Sequence, residues 1–128
     1  MRPRDTGRKA VYEAEDEVFG VGTCRCPPMT LDQIRVLAEE IAPGVKVKDG
    51  RGRRRAGGCR AYITMPRAFR CMHITLHELA HTLTDRATGQ ADPWHGARWR
   101  VQYLHLVLEY LPNYWGRLGD AFRARNLL

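Results

Sequence analysis

The stretch His77-Glu78-Leu79-Ala80-His81 decides how the rest of the chain is read. On a helix, residues i and i+4 share a face, so His77 and His81 present two imidazoles to one ion while Glu78 stands beside them. Two nitrogen ligands, a carboxylate base and an open coordination position are the parts that metal-assisted hydrolysis requires. A pattern of three fixed positions also arises by chance, so its surroundings have to support it. They do. Met72 to Leu76 before the motif and Thr82 to Thr84 after it contain no Gly or Pro, and Leu76, Leu79, Ala80 and Leu83 recur at helical spacing.

Working outward, Gln90-Ala91-Asp92-Pro93-Trp94 reads as a loop that returns the chain to the motif and delivers His95-Gly96. His95 is the preferred third ligand. Glu109, on the segment Arg98 to Leu111, is the alternative, since a carboxylate from a following helix completes some sites of this kind. The extended motif with a distal histidine is excluded, because Thr84 and Ala87 stand where it needs Gly and His.

HELAH, a loop and then His95-Gly96-Ala97-Arg98-Trp99 resembles the paired motifs of the SprT-like metallopeptidases. The resemblance is firm over about residues 72 to 100. It implies a small zincin-like α+β domain, His77, His81 and His95 as ligands of one Zn²⁺ ion, and Trp99 as the residue packing the second helix on the first. The size and the opening Arg8 to Glu15 are also similar to small metallohydrolases of actinobacteria and their phages. No cysteine follows Cys71, so the zinc-ribbon extension of many SprT-like proteins is not expected.

The expected architecture is N-terminal helices, a short antiparallel sheet, the HExxH helix and C-terminal helices, all in one domain over residues 1–128. Val11, Ala14, Val18 and Phe19 form an apolar stripe on an acidic first helix. Thr30-Leu31-Asp32-Gln33 is a capping box, and Pro43-Gly44 ends the helix it opens near Ala42. Val45 to Lys48 alternates as a strand, Asp49-Gly50 signals a hairpin turn, and Gly58 to Met65 reads as the return strand. That second strand either closes the sheet or offers an edge to an extended substrate.

Hydrophobic residues make up 44% and charged residues 27% of the 128, the balance of a soluble globular domain, and no apolar run is long enough to span a bilayer. A cytoplasmic protein is expected, with reduced, mostly buried thiols at Cys24, Cys26, Cys59 and Cys71; their spacing lacks the paired CxxC of a zinc ribbon. The net charge of +7 gathers at Arg2 to Lys9, at Arg51-Gly52-Arg53-Arg54-Arg55 and at Arg117 to Arg125. Such clusters are commonly solvated surface; Arg51, Arg53, Arg54 and Arg55, at a loop tip, are also placed to meet nucleic-acid phosphates.

These residues predict a zinc metallopeptidase acting on protein or peptide, with Glu78 as general base. A hydrolase of RNA and a nucleic-acid-binding module with structural zinc are the rivals. Glu78 argues against the second, since a structural site has no use for a base. Tyr62, Tyr103 and Tyr114 are candidate oxyanion donors, and Asp85 or Asp92 a candidate acceptor for a ligand ring. His73 is read as lying beside the site and His105 as outside it.

Overall fold

The computed structural model describes residues 2–20 and 27–128, so Cys24 and Cys26 lie outside the described residues. Among the described residues the chain is α+β: α1 (Arg8–Phe19), α2 (Leu31–Ile41), β1 (Lys46–Lys48), β2 (Gly57–Gly58), β3 (Tyr62–Thr64), a 3₁₀ turn (Arg67–Phe69), α3 (Met72–Thr88), α4 (Ala97–Tyr110) and α5 (Pro112–Ala124). The expected stripe on α1 is buried, and the capping box of α2 forms in full. Gln33 N–H donates to Thr30 Oγ1 at 3.1 Å, and Thr30 N–H donates to Gln33 Oε1 at 2.9 Å. Pro112 opens α5, where a missing N–H costs nothing.

The sheet differs from the expected hairpin. Its order is β1-β3-β2: β1 runs parallel to β3, with Val47 opposite Ile63, and β2 runs antiparallel to it, with Gly58 opposite Ile63. Asp49-Gly50 therefore does not join paired neighbours. The segment expected to be one strand instead folds back on itself, closed by Cys59 N–H donating to Tyr62 O at 2.9 Å. Helix α3 holds that turn in place: Thr82 Oγ1 donates to Cys59 O and Arg86 Nε to Arg60 O.

Behind the sheet and α3, the side chains of Phe19, Ile34, Ile63, Leu76, Val107 and Phe122 form one buried cluster joining α1, α2, α4 and α5. Trp99 and Tyr103 are fully buried where α4 crosses α3. Truncating Trp99 would cost about 3–5 kcal/mol by the usual toll of emptying a core. The thiol expectation needs correction at one position: Cys71, the residue that starts α3, is disulfide-bonded, whereas Cys59 is free. A backbone bridge between Pro28 and Cys71 lays the segment before α2 against this point. No described helix is long and apolar enough to cross a membrane.

Candidate metal centre

Helix α3 places His77 and His81 one turn apart, and the loop after it ends at His95, just before α4 begins. One nitrogen of each ring lies within 4.8 Å of the other two, and all three residues are buried. His77 Nε2 and His95 Nε2 are 3.1 Å apart. Three nitrogens about 2.0–2.1 Å from a tetrahedral ion would sit about 3.3 Å from one another, close to the His77–His95 separation.

The donor chemistry agrees. His77 Nδ1 is 2.8 Å from Glu15 Oε2, and His95 Nδ1 is 2.6 Å from Asp5 Oδ2. A ring that donates its Nδ1 proton to a carboxylate carries a bare lone pair on Nε2. Two such nitrogens facing each other are held by whatever lies between them, a shared proton when His77 is protonated or a metal ion when both rings are neutral. This buried three-histidine group could hold a metal ion.

The acceptors that orient the rings are thus Glu15 and Asp5, not the expected Asp85 or Asp92. Asp85 is taken by a two-pronged pair with Arg2, at 3.1 and 3.2 Å, and Arg2 also donates to Asp92 O and stacks 3.6 Å over the Trp94 ring. The Asp92 carboxylate faces Arg98. Segment 2–7 is therefore a strap across the His95 loop, clamped by Arg2 and carrying Asp5 to the ring. Arg100 fixes the same loop from below, donating to His95 O at 2.7 Å and to Leu127 O at 2.6 Å. Trp99 floors the site, with its ring 4.6, 5.1 and 4.7 Å from those of His77, His81 and His95.

Burial and charge act on these groups in opposite directions. For His77, burial alone would lower the pKa, but the carboxylates of Glu15 and Glu78 outweigh it and raise it to about 9. Burial raises Glu78 to about 7, helped by Glu15 and opposed by His77. Burial and the neighbouring rings hold His81 well below its ordinary value, and His95 is lowered in the same way against the pull of Asp5.

Glu78 opens into the same cleft as the three histidines, a space of about 510 Å³ whose other walls include Arg8, Tyr12, Gly57, Gly58 and Trp94. Strand β2 forms one rim. Gly58 lies so close to α3 that a Cβ there would come within 2.5 Å of Glu78 O, so only glycine permits this approach. The edge facing the cleft is β2; β3, part of the strand expected there, is paired on both sides.

Other expected residues fall elsewhere. Glu109 and His105 are exposed on α4. Tyr103 is buried and donates to Glu15 at 2.8 Å, Tyr114 packs on Phe19, and Tyr62 lies under Lys48. His73 stacks on Phe19 at 4.2 Å. The tyrosine that does line the cleft is Tyr12, raised above its ordinary pKa by burial and by Glu78, so its hydroxyl stays protonated. Arg53, Arg54 and Arg55 line a second groove beside β2, and Arg51 shares a hollow with Arg53, Arg54, Arg67 and Phe69.

Compared with known proteins, the chain matches no family model, no curated protein and no solved structure.

Proposed function

We propose that this chain is a zinc-dependent metallopeptidase built on a zincin-like fold, in keeping with the resemblance of its two motifs to SprT-like enzymes. The observation that carries the reading is the convergence of three histidines, two of them oriented by carboxylates, and Glu78 on one cleft rimmed by an open strand edge. His77, His81 and His95 would hold the ion, with Glu15 and Asp5 fixing two of the rings. Zinc, when bound, supplies Lewis acidity that acidifies water and polarises a carbonyl.

The remaining work belongs to the protein. The main-chain groups along the free edge of β2 accept an extended peptide as an added strand, which sets register without demanding a sequence. Glu78 takes a proton from the attacking water at a carboxylate oxygen and passes it to the leaving amine nitrogen. The Tyr12 hydroxyl, protonated and in the same cleft, donates to the oxygen that gains charge. A base is what separates this reading from a purely structural zinc site.

The test is Glu78→Gln. It is nearly isosteric and removes no ligand, so metal content and melting temperature should stay within error of the parent. Cleavage of an unfolded protein should fall by about 10²-fold or more, the share of a general base. Equal cleavage by both proteins would remove Glu78 from the chemistry, and zinc-loaded parent that cuts no peptide would end the peptidase reading.

A further inference from the structure

Three uncommitted arginines of this molecule stand at the substrate groove. Other cations are largely engaged: Arg2 with Asp85, Arg70 with Asp49, Arg123 with Asp120 and Arg125 with Glu17. Among the described residues, no hydrogen bond or ion pair involves the side chains of Arg53, Arg54 or Arg55. These three precede β2 directly and line a groove of about 520 Å³ with Tyr62 and Trp94. Ala56, Gly57, Gly58 and Trp94 belong to this groove and to the metal cleft alike, so the two are continuous. Arg54 and Arg55 also border the hollow on the opposite side, beside Tyr12, Ile74 and Glu78.

We infer that the site selects acidic peptides, with Arg53, Arg54 and Arg55 as the residues that read the charge; this rests on the peptidase reading above. Side chains of an extended peptide point alternately to either side, so a strand added to β2 passes them across both hollows that these arginines border. Guanidinium groups are well suited to carboxylates, which they bind through paired N–H donors. A nucleic acid fits less well. The free edge of β2 offers main-chain donors and acceptors that a peptide backbone matches and a sugar–phosphate backbone does not.

Three fluorescent peptides of one sequence, differing only in carrying Glu, Gln or Lys at four alternate positions, provide the test. Binding is measured by anisotropy on zinc-loaded Glu78→Gln protein, and cleavage on the parent. The Glu peptide should bind roughly tenfold more tightly than the Gln peptide at low salt, as three modest charge pairs allow, and the Lys peptide least. The gap should shrink as salt rises. Replacing Arg53, Arg54 and Arg55 by Gln should abolish the preference while zinc content and the circular dichroism spectrum hold; if the triple variant misfolds, Arg54→Gln and Arg55→Gln singly should each reduce it.

Equal binding of the Glu and Gln peptides overturns the inference. So does an oligothymidylate that binds more tightly than the Glu peptide and displaces it, which would give the arginines to nucleic acid. Charge-selective binding without any cleavage would fail the peptidase reading and leave the groove's selectivity standing. Cleavage indifferent to charge would do the reverse.

Discussion

The candidate metal centre and the arginine loop meet at β2, and they use their charges in opposite ways. At the centre, two of the three histidines have a carboxylate partner, the strap that supplies Asp5 is itself clamped by Arg2, and all three rings are buried. In the loop, three guanidinium groups have no partner among the described residues and stand in solvent. Charges held in low dielectric act strongly and are costly to unpair, whereas exposed ones are screened and contribute little to folding. The first region can set geometry and affinity for an ion. The second is free to meet a partner that arrives.

The largest expected effect breaks the centre outright. His95→Ala should lose the metal in elemental analysis, while Glu109→Ala, at an exposed position on α4, should keep it. The opposite pair of results would move the third ligand to α4.

A second experiment asks how tightly the interior side is sealed. Burial lowers His73 to about 4, with the positive charge of His77 acting the same way and Glu15 opposing. The unfolded chain takes up this proton below about pH 6.5 and the folded one only near pH 4, so His73 subtracts stability as pH falls through that window and has no effect above it. The loss should reach about 3 kcal/mol, from 2.5 pKa units at about 1.36 kcal/mol each. Urea unfolding of chelator-treated parent and His73→Phe protein should show the parent losing more stability between pH 6.5 and 4. Parallel curves would mean that the ring reaches water.

The smallest effect sharpens the comparison. Glu15→Gln keeps size but weakens the hold on the His77 Nδ1 proton, and metal affinity should fall about 10- to 100-fold, the usual cost of losing a partner behind a ligand. A metal competition titration measures it. An unchanged affinity would show that the buried pair between Glu15 and His77 serves folding alone.

What could be read in advance was local. The HExxH spacing, the return of His95, the capping box at Thr30 and the stripe on α1 each depend on residues a few positions apart, and each appears where the pattern puts it. The strand pairing was not legible, because the turn at Cys59 to Tyr62 is held by Thr82 and Arg86 from a distant helix. Nor did anything near Asp5 or Arg2 announce their partners. Glu15 did leave a signal: it follows Ala14 within the stripe of α1, and a carboxylate on a buried helix face calls for a buried partner. The disulfide at Cys71 had no counterpart in the cysteine spacing.

Asp5 and His95 are 90 positions apart, and Arg2 and Asp85 are 83 apart. During synthesis, then, the strap emerges first and must wait for the loop it will cross. Helices α1 and α2 can form from short-range contacts as they leave the ribosome, but ring orientation at residue 95 has to wait until that residue has emerged. Long-range closures of this kind are slow compared with helix formation, so the order of assembly follows from the connectivity. Closure of the hydrophobic interior comes later still, because Val107 and Phe122 emerge after residue 95, so the three rings settle only as the core around them closes.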